Sequence, residues 1–110
     1  MEKMFGAYII SNNNKTLYTG TTNNLIRRIW EHKNNKGSKF AKKYNLKMFV
    51  YYDFCENMRE AIIREKQIKN MSRREKLNLI RQKNPLFVDI SAKLFSLCEN
   101  LDWCDISHEN

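Results

Sequence analysis

The stretch from Leu17 to Lys33, LYTGTTNNLIRRIWEHK, constrains the fold more than any other part of the chain. A strand-like aromatic segment breaks at Gly20. Within a few residues it gives way to a helix from about Asn24 to Lys33, with Thr22 or Asn23 as its N-cap. Leu25, Ile26, Ile29 and Trp30 form the apolar arc of that helix. Arg28 and His32 are four residues apart and share a face. Arg27 and Arg28 flank the arc on opposite sides. His32 lies on the Leu25 side beside Arg28, which favours Arg28 for a shared site, while Arg27 can pair with Glu31 at i+4. A tyrosine on a strand end, a turn rich in Thr and Asn, and a paired Arg and His suit the handling of phosphate. A packed turn with a partly buried structural histidine is the competing reading.

Upstream, Phe5 to Ile10 is a short apolar and aromatic run. The turn-prone cluster Asn12-Asn13-Asn14-Lys15 separates it from a second strand, Leu17 to Thr21, so a β-hairpin is expected. Its two arms carry Tyr8 and Tyr18, close enough to approach each other across the pair. Downstream, Ser38 can cap a short basic helix through Lys43 or Tyr44. Lys47 to Phe54 (KMFVYYDF) reads as a third, central strand. Asn57 followed by Glu60 resembles a capping box that opens a helix through about Met71. Met58, Ala61, Ile62 and Ile68 form its inward stripe, and Glu65 falls on that stripe. A carboxylate in such a place needs a cationic or metal partner. Either a metal ion or Lys69 at i+4 would serve, and the helix alone does not choose.

Ser72-Arg73-Arg74-Glu75 is a further capping box, opening a basic helix that ends before Asn84-Pro85. Beyond it, Ile90, Leu94, Leu97, Cys98, Leu101 and Cys104 recur at helical spacing with acids between them, an amphipathic helix that must cover something. Packing back on its own domain and contact with a second copy are the two options, in that order.

Charge narrows the function classes. The first 85 residues hold 19 Lys and Arg against 7 Asp and Glu, and the rest hold one Lys against five acids. A basic body favours polyanions such as nucleic acid, because each neutralised phosphate releases counterions. At 110 residues the chain fits one domain of the usual size. The three cysteines, Cys55, Cys98 and Cys104, form no close pair of zinc or redox type. No apolar run is long enough for a membrane span and no signal-peptide layout is present, so a cytoplasmic, membrane-free protein is expected. Phosphate-binding loops, dinucleotide glycine patterns and nucleophile elbows are absent from the sequence.

Four elements together resemble a known family. Gly6-Ala7-Tyr8, Tyr18-Thr19-Gly20, Asn24-Leu25 leading to Arg28 and His32, and Arg64-Glu65-Lys66-Gln67-Ile68-Lys69 are similar in order and spacing to the GIY-YIG nuclease domain. The likeness is to its small single-domain bacterial branch and covers residue 4 to about 90. Ala7 and Thr19 stand where the name motif has Ile.

The resemblance implies an α+β fold, a small three-stranded antiparallel sheet flanked by helices, over residues 1–90. An acidic amphipathic helix over 91–110 would be an addition to it. It also implies an endonuclease that hydrolyses phosphodiester bonds of DNA, more than RNA, with one divalent metal, Mg²⁺ or Mn²⁺, in repair or in processing of structured nucleic acid. In that picture Glu65 is the metal ligand, Arg28 holds the scissile phosphate, Tyr8 or Tyr18 activates water, and His32 supports the nucleophile or a tyrosine. Arg27, Lys33, Lys42, Lys43, Lys66, Lys69, Arg73 and Arg74 are the candidate nucleic-acid contacts. The chain would be a monomer or a weak homodimer through the C-terminal helix. A catalytically weak or inactive binding module of the same fold is the alternative, and an interaction protein acting through the acidic helix is a third class.

Overall fold

The fold, a computed structural model, is described for residues 4–98, apart from the side chains of residues 95, 97 and 98. The elements are β1 (Phe5–Ser11), β2 (Tyr18–Thr22), α1 (Leu25–Lys33), α2 (Lys39–Lys43), β3 (Met48–Cys55), α3 (Met58–Lys69), α4 (Arg73–Lys83) and α5 (Ser91–Cys98). The three strands form one antiparallel sheet in the order β2-β1-β3. This is the expected α+β architecture with one correction: β1, not β3, is the central strand. A strand covered on both faces reads as apolar whether it pairs on one side or two. KMFVYYDF therefore looks central while lying at an edge.

Side chains alternate across β1 into two cores. Tyr8 and Ile10 face one way, with Leu25 and Ile29 of α1, Ala41 of α2, and Phe49, Tyr52 and Leu94. Ala7 and Ile9 face the other way, with Val50, Tyr51, Ile68 of α3 and Ile80 of α4. Thus α1 and α3 lie on opposite faces of the sheet. The alternation slips once in β3. Ile9 pairs Tyr51 whereas Ile10 pairs Phe49, so Val50 is an extra residue. Such a bulge re-aims the residues beyond it, and Tyr52 thereby joins Phe49 on the α1 face.

Helix starts follow local chemistry, with one shift. The N-cap of α1 is Asn24, whose Oδ1 accepts from the Arg27 N–H at 3.1 Å. Thr22, one of the two expected caps, is still in β2; its hydroxyl donates to the Asn24 carbonyl and accepts from the Asn24 N–H, 3.0 Å each. Ser38 caps α2 and Asn57 caps α3. Ser72 and Glu75 form the reciprocal box at α4. The inward stripe of α3 is narrower than expected: Ala61 and Ile68 are buried, but Ile62 is 38% exposed. The helix crosses β1 and β2 on a single line of i, i+4, i+7 contacts, and Ile62 lies one residue, about 100°, off it. Trp30 likewise sits at the rim of its arc, 39% exposed.

Two polar side chains strap the C-terminal segment down. Buried Asn84 donates to the carbonyls of Val50 (3.0 Å) and Val88 (2.8 Å) and accepts from the Val88 N–H (3.1 Å). Asp89 accepts from the Phe49 N–H at 3.1 Å, from Ser91 and from Lys33. Ile90 and Leu94 then pack on the α1-side core. To that extent the amphipathic tail folds back on its own domain. The side chains of Leu97 and Cys98, and the expected continuation through Leu101 and Cys104, lie outside the described residues. Among the described residues no helix is long and apolar enough to cross a membrane.

Candidate active site

The site is assembled from both hairpin arms and from helices on opposite faces of the sheet. In the β1–β2 register Tyr8 lies opposite Gly20, and Ile10 opposite Tyr18. Tyr8 and Tyr18 are therefore diagonal neighbours on one face, within reach for side chains of this length. The Tyr8 ring needs the space at Gly20, where a Cβ would stand 2.6 Å from the phenolic oxygen. Tyr8 Oη and His32 Nε2 share a hydrogen bond at 3.4 Å, and the two rings meet edge to face, 5.9 Å between centroids. His32 is 3% exposed. Gly37 lies against its other side, where a Cβ would overlap Nδ1.

Burial governs the charge states of this pair. It pushes the Tyr8 phenol far above its ordinary range. Arg28 pulls it back in part, whereas Tyr18, Glu65 and Glu31 raise it further. These four groups thus lie within electrostatic reach of one hydroxyl, although they come from β2, α1 and α3. Burial, and then the Arg28 charge, push His32 down to about 4, so its imidazole is neutral near pH 7. Keeping both groups neutral avoids the cost of a buried charge, although the buried His32 Nδ1 has no hydrogen-bond partner among the described residues.

Arg28 and Glu65 are less buried. Arg28 Nη1 pairs with Glu31 Oε1 at 3.1 Å, both side chains about a quarter exposed. This corrects the expected Arg27–Glu31 pair. The i+3 partner wins because Arg28 shares the half-buried side of α1, while Arg27 turns to solvent and donates to Asn23 Oδ1 at 2.9 Å. Arg28 Nε is buried and has no hydrogen-bond partner among the described residues. The Glu65 side chain is 18% exposed, and Lys69 Nζ sits 3.2 Å from its Oε2. The i+4 lysine is therefore a real partner of the inward carboxylate, and it holds one of the two oxygens. Among the described residues no group of three or more His, Cys, Asp or Glu side chains could hold a metal ion. A single carboxylate with phosphate and water oxygens completing the shell is a donor set that Mg²⁺ accepts. Glu65 fits that requirement, and the described residues offer no zinc-type cluster there.

The candidate nucleic-acid contacts fall into two groups. Lys42, Lys43, Lys66 and Arg74 are exposed. The others have intramolecular partners: Arg27 and Lys69 as described, Arg73 through the Lys15 carbonyl (2.7 Å), and Lys33 through Asp89 and the Lys47 carbonyl (2.6 Å). Lys33 is thus part of the strap on the C-terminal segment.

Two contributors were not legible as such. Glu31 orients Arg28, and its spacing of three was the available signal. Phe40, in the basic segment KFAKK, stacks on Tyr18 with centroids 5.7 Å apart; an aromatic between lysines on a short helix was the clue.

Comparison with known proteins gives the family and the fold. The GIY-YIG catalytic domain family matches residues 4–78. A UPF0213 protein of Clostridium perfringens is 44% identical over 77 residues, covering 70% of this chain and 83% of that protein. One from Syntrophus aciditrophicus is 43% identical over 79 residues, covering 71% and 90%. The solution NMR structure of a UPF0213 protein from Bacillus halodurans is similar with a TM-score of 0.51 and 28% identity, covering 79% of this chain and 93% of that one. The family match runs from β1 into α4, through both tyrosines, Arg28, His32 and Glu65, and the chain accordingly belongs to the GIY-YIG family and carries its nuclease-type catalytic domain.

Proposed function

We propose that this protein is a divalent-metal-dependent endonuclease that hydrolyses phosphodiester bonds of DNA. The observation that supports the reading is that Tyr8 bonds His32 Nε2 at 3.4 Å and has Tyr18 as its diagonal neighbour across β1 and β2, with the charges of Arg28 and Glu65 from two helices both acting on its hydroxyl. Arg28 would hold the scissile phosphate. Its guanidinium gives a planar, always charged contact, and its side chain is 29% exposed, enough to meet a phosphate. Tyr18, half-buried at the start of β2, is the better candidate to take the proton from the attacking water. Tyr8 is buried, raised by that burial and bonded to His32, so it acts as a positioning residue that fixes the site's floor. Tyr18, as a phenolate held next to positive charge, would take the proton of the attacking water as its oxygen bonds to phosphorus; the P–O bond to the leaving strand breaks and the departing oxyanion takes a proton from solvent. Glu65 would hold Mg²⁺ or Mn²⁺, which when bound supplies Lewis-acid stabilisation of charge on the phosphate oxygens.

Purified protein should cut plasmid or structured oligonucleotides with Mg²⁺ or Mn²⁺, and Glu65→Ala should abolish the cutting. Cleavage that survives Glu65→Ala would remove Glu65 from the site. Wild-type protein that binds DNA but cuts nothing in either metal would overturn the catalytic reading in favour of a binding module.

A further inference from the structure

We infer that the face of α2 beside Tyr18 is a stacking platform for unpaired nucleotides, so that the substrate carries single-stranded nucleic acid at the site. This rests on the nuclease reading for its biological use, though not for its test.

Three observations lead there. First, Phe40 and Tyr44 are 42% and 40% exposed, and they form a continuous row with Tyr18. Tyr18 and Phe40 stack at 5.7 Å and 27°, and Phe40 and Tyr44 meet at 4.7 Å and 46°. A row of exposed rings leading out of a candidate active site is unlike scattered surface aromatics, which need no explanation.

Second, the platform is rigid although α2 is short. Ser38 caps it, and Ala41 and Leu46 are buried on either side of Tyr44. Asn12 in the hairpin loop donates to the Tyr44 carbonyl at 2.7 Å. The rings are held without support from any partner.

Third, the charge around the row has one sign. Residues 33–52 hold six lysines and no Asp or Glu. Lys39, Lys42 and Lys43 are exposed, and Lys43 Nζ lies 5.4 Å from the centre of the Tyr44 ring. An apolar protein partner would leave these ammonium groups uncompensated. A polynucleotide satisfies both features at once, with bases on the rings and phosphates on the lysines. Bases in a duplex already stack on each other, so only unpaired ones can use the rings.

The test is fluorescence anisotropy in EDTA with a labelled short oligothymidine and a blunt duplex of equal length, at fixed salt. Wild type is expected to bind the single strand more tightly. Phe40→Leu and Tyr44→Leu keep bulk and charge while removing the π face, and each should weaken single-strand binding roughly fivefold to a hundredfold, with little change for duplex. Thermal unfolding of the variants shows whether they fold. If a leucine variant is misfolded, the methionine variant at the same position, Phe40→Met or Tyr44→Met, replaces it, with the same loss expected on the single strand and little change on the duplex. Equal preference for duplex, equal losses on both probes, or folded leucine variants that bind like wild type would each overturn the inference. Because EDTA prevents cleavage, failure of the nuclease reading would leave this result unaffected. Loss of single-strand preference in a protein that cuts duplex would remove the platform alone.

Discussion

His32 should make the protein lose stability in mild acid well before its carboxylates do. In the unfolded chain the imidazole titrates near its ordinary 6.5, whereas in the folded protein it stays neutral down to about 4. Between those values the unfolded state binds more protons than the folded one, so stability rises with pH through this window and is flat above it. A tenfold difference in proton affinity between the two states is worth about 1.4 kcal/mol, and integrating both titrations gives a loss on the order of 2 kcal/mol between about pH 7.5 and about pH 5. With a urea m-value near 2 kcal/mol/M that is a midpoint change of roughly 1 M. The assay is urea unfolding across this pH range for wild type and His32→Gln, which keeps an amide donor and acceptor but cannot titrate. The variant will be less stable at neutral pH, but its midpoint should fall much less steeply as the pH drops. Carboxylates titrate in both proteins and cancel in the difference. Parallel curves for the two proteins would refute a neutral, buried His32.

Other perturbations test separate links. Gly20→Ala would place a methyl 2.6 Å from the Tyr8 oxygen, so either the ring or the β1–β2 pairing must shift, at about 1 to 3 kcal/mol of stability by urea unfolding. Asn84→Ala would strand the buried Val50 carbonyl and the Val88 amide and carbonyl, costing roughly 2 to 3 kcal/mol by the same measurement. Arg28→Lys keeps the charge and loses the fork; cleavage should fall by about tenfold or more while DNA binding by anisotropy changes little. Equal losses in both would make Arg28 a general phosphate contact instead.

Much of the fold is legible in the sequence because its signals are local. Ser72 with Glu75, Asn57, Ser38 and the Asn-rich hairpin loop declare their roles within four residues. What stays hidden is non-local. No hydropathy pattern distinguishes an edge strand with two covered faces from a central one, so β3 reads as central when it is not. The bulge at Val50 and the straps at Asn84 and Asp89 depend on which carbonyls and amides a loop meets in space. The site divides the same way. Tyr18, Arg28 and His32 are neighbours in one stretch and share a face by helical and strand periodicity. Tyr8 needs the register, and Glu65 needs α3 to be placed across β1 and β2. The partner of Glu31 turns on burial, which the wheel of α1 alone does not provide.

The two rings at the floor of this site account for two of the chain's three glycines. Gly20 is the residue whose missing side chain admits the Tyr8 phenol, and Gly37 does the same for the His32 imidazole. Neither position has positive φ, so the requirement is space and not backbone freedom. A small domain has little interior in which to bury polar groups without penalty. Here the α1-side core ends in one phenol and one imidazole that bond through Oη and Nε2 while both stay neutral, leaving the buried Nδ1 without a hydrogen-bond partner among the described residues. The charged groups Arg28, Glu31 and Glu65 stand one step further out, partly hydrated, where ionisation costs less. On this logic the glycines are as necessary to the site as the residues that face substrate. Gly37→Ala should therefore lower the urea midpoint and shift the His32 imidazole titration together, and a change in one without the other would break the link between this space and the buried ring.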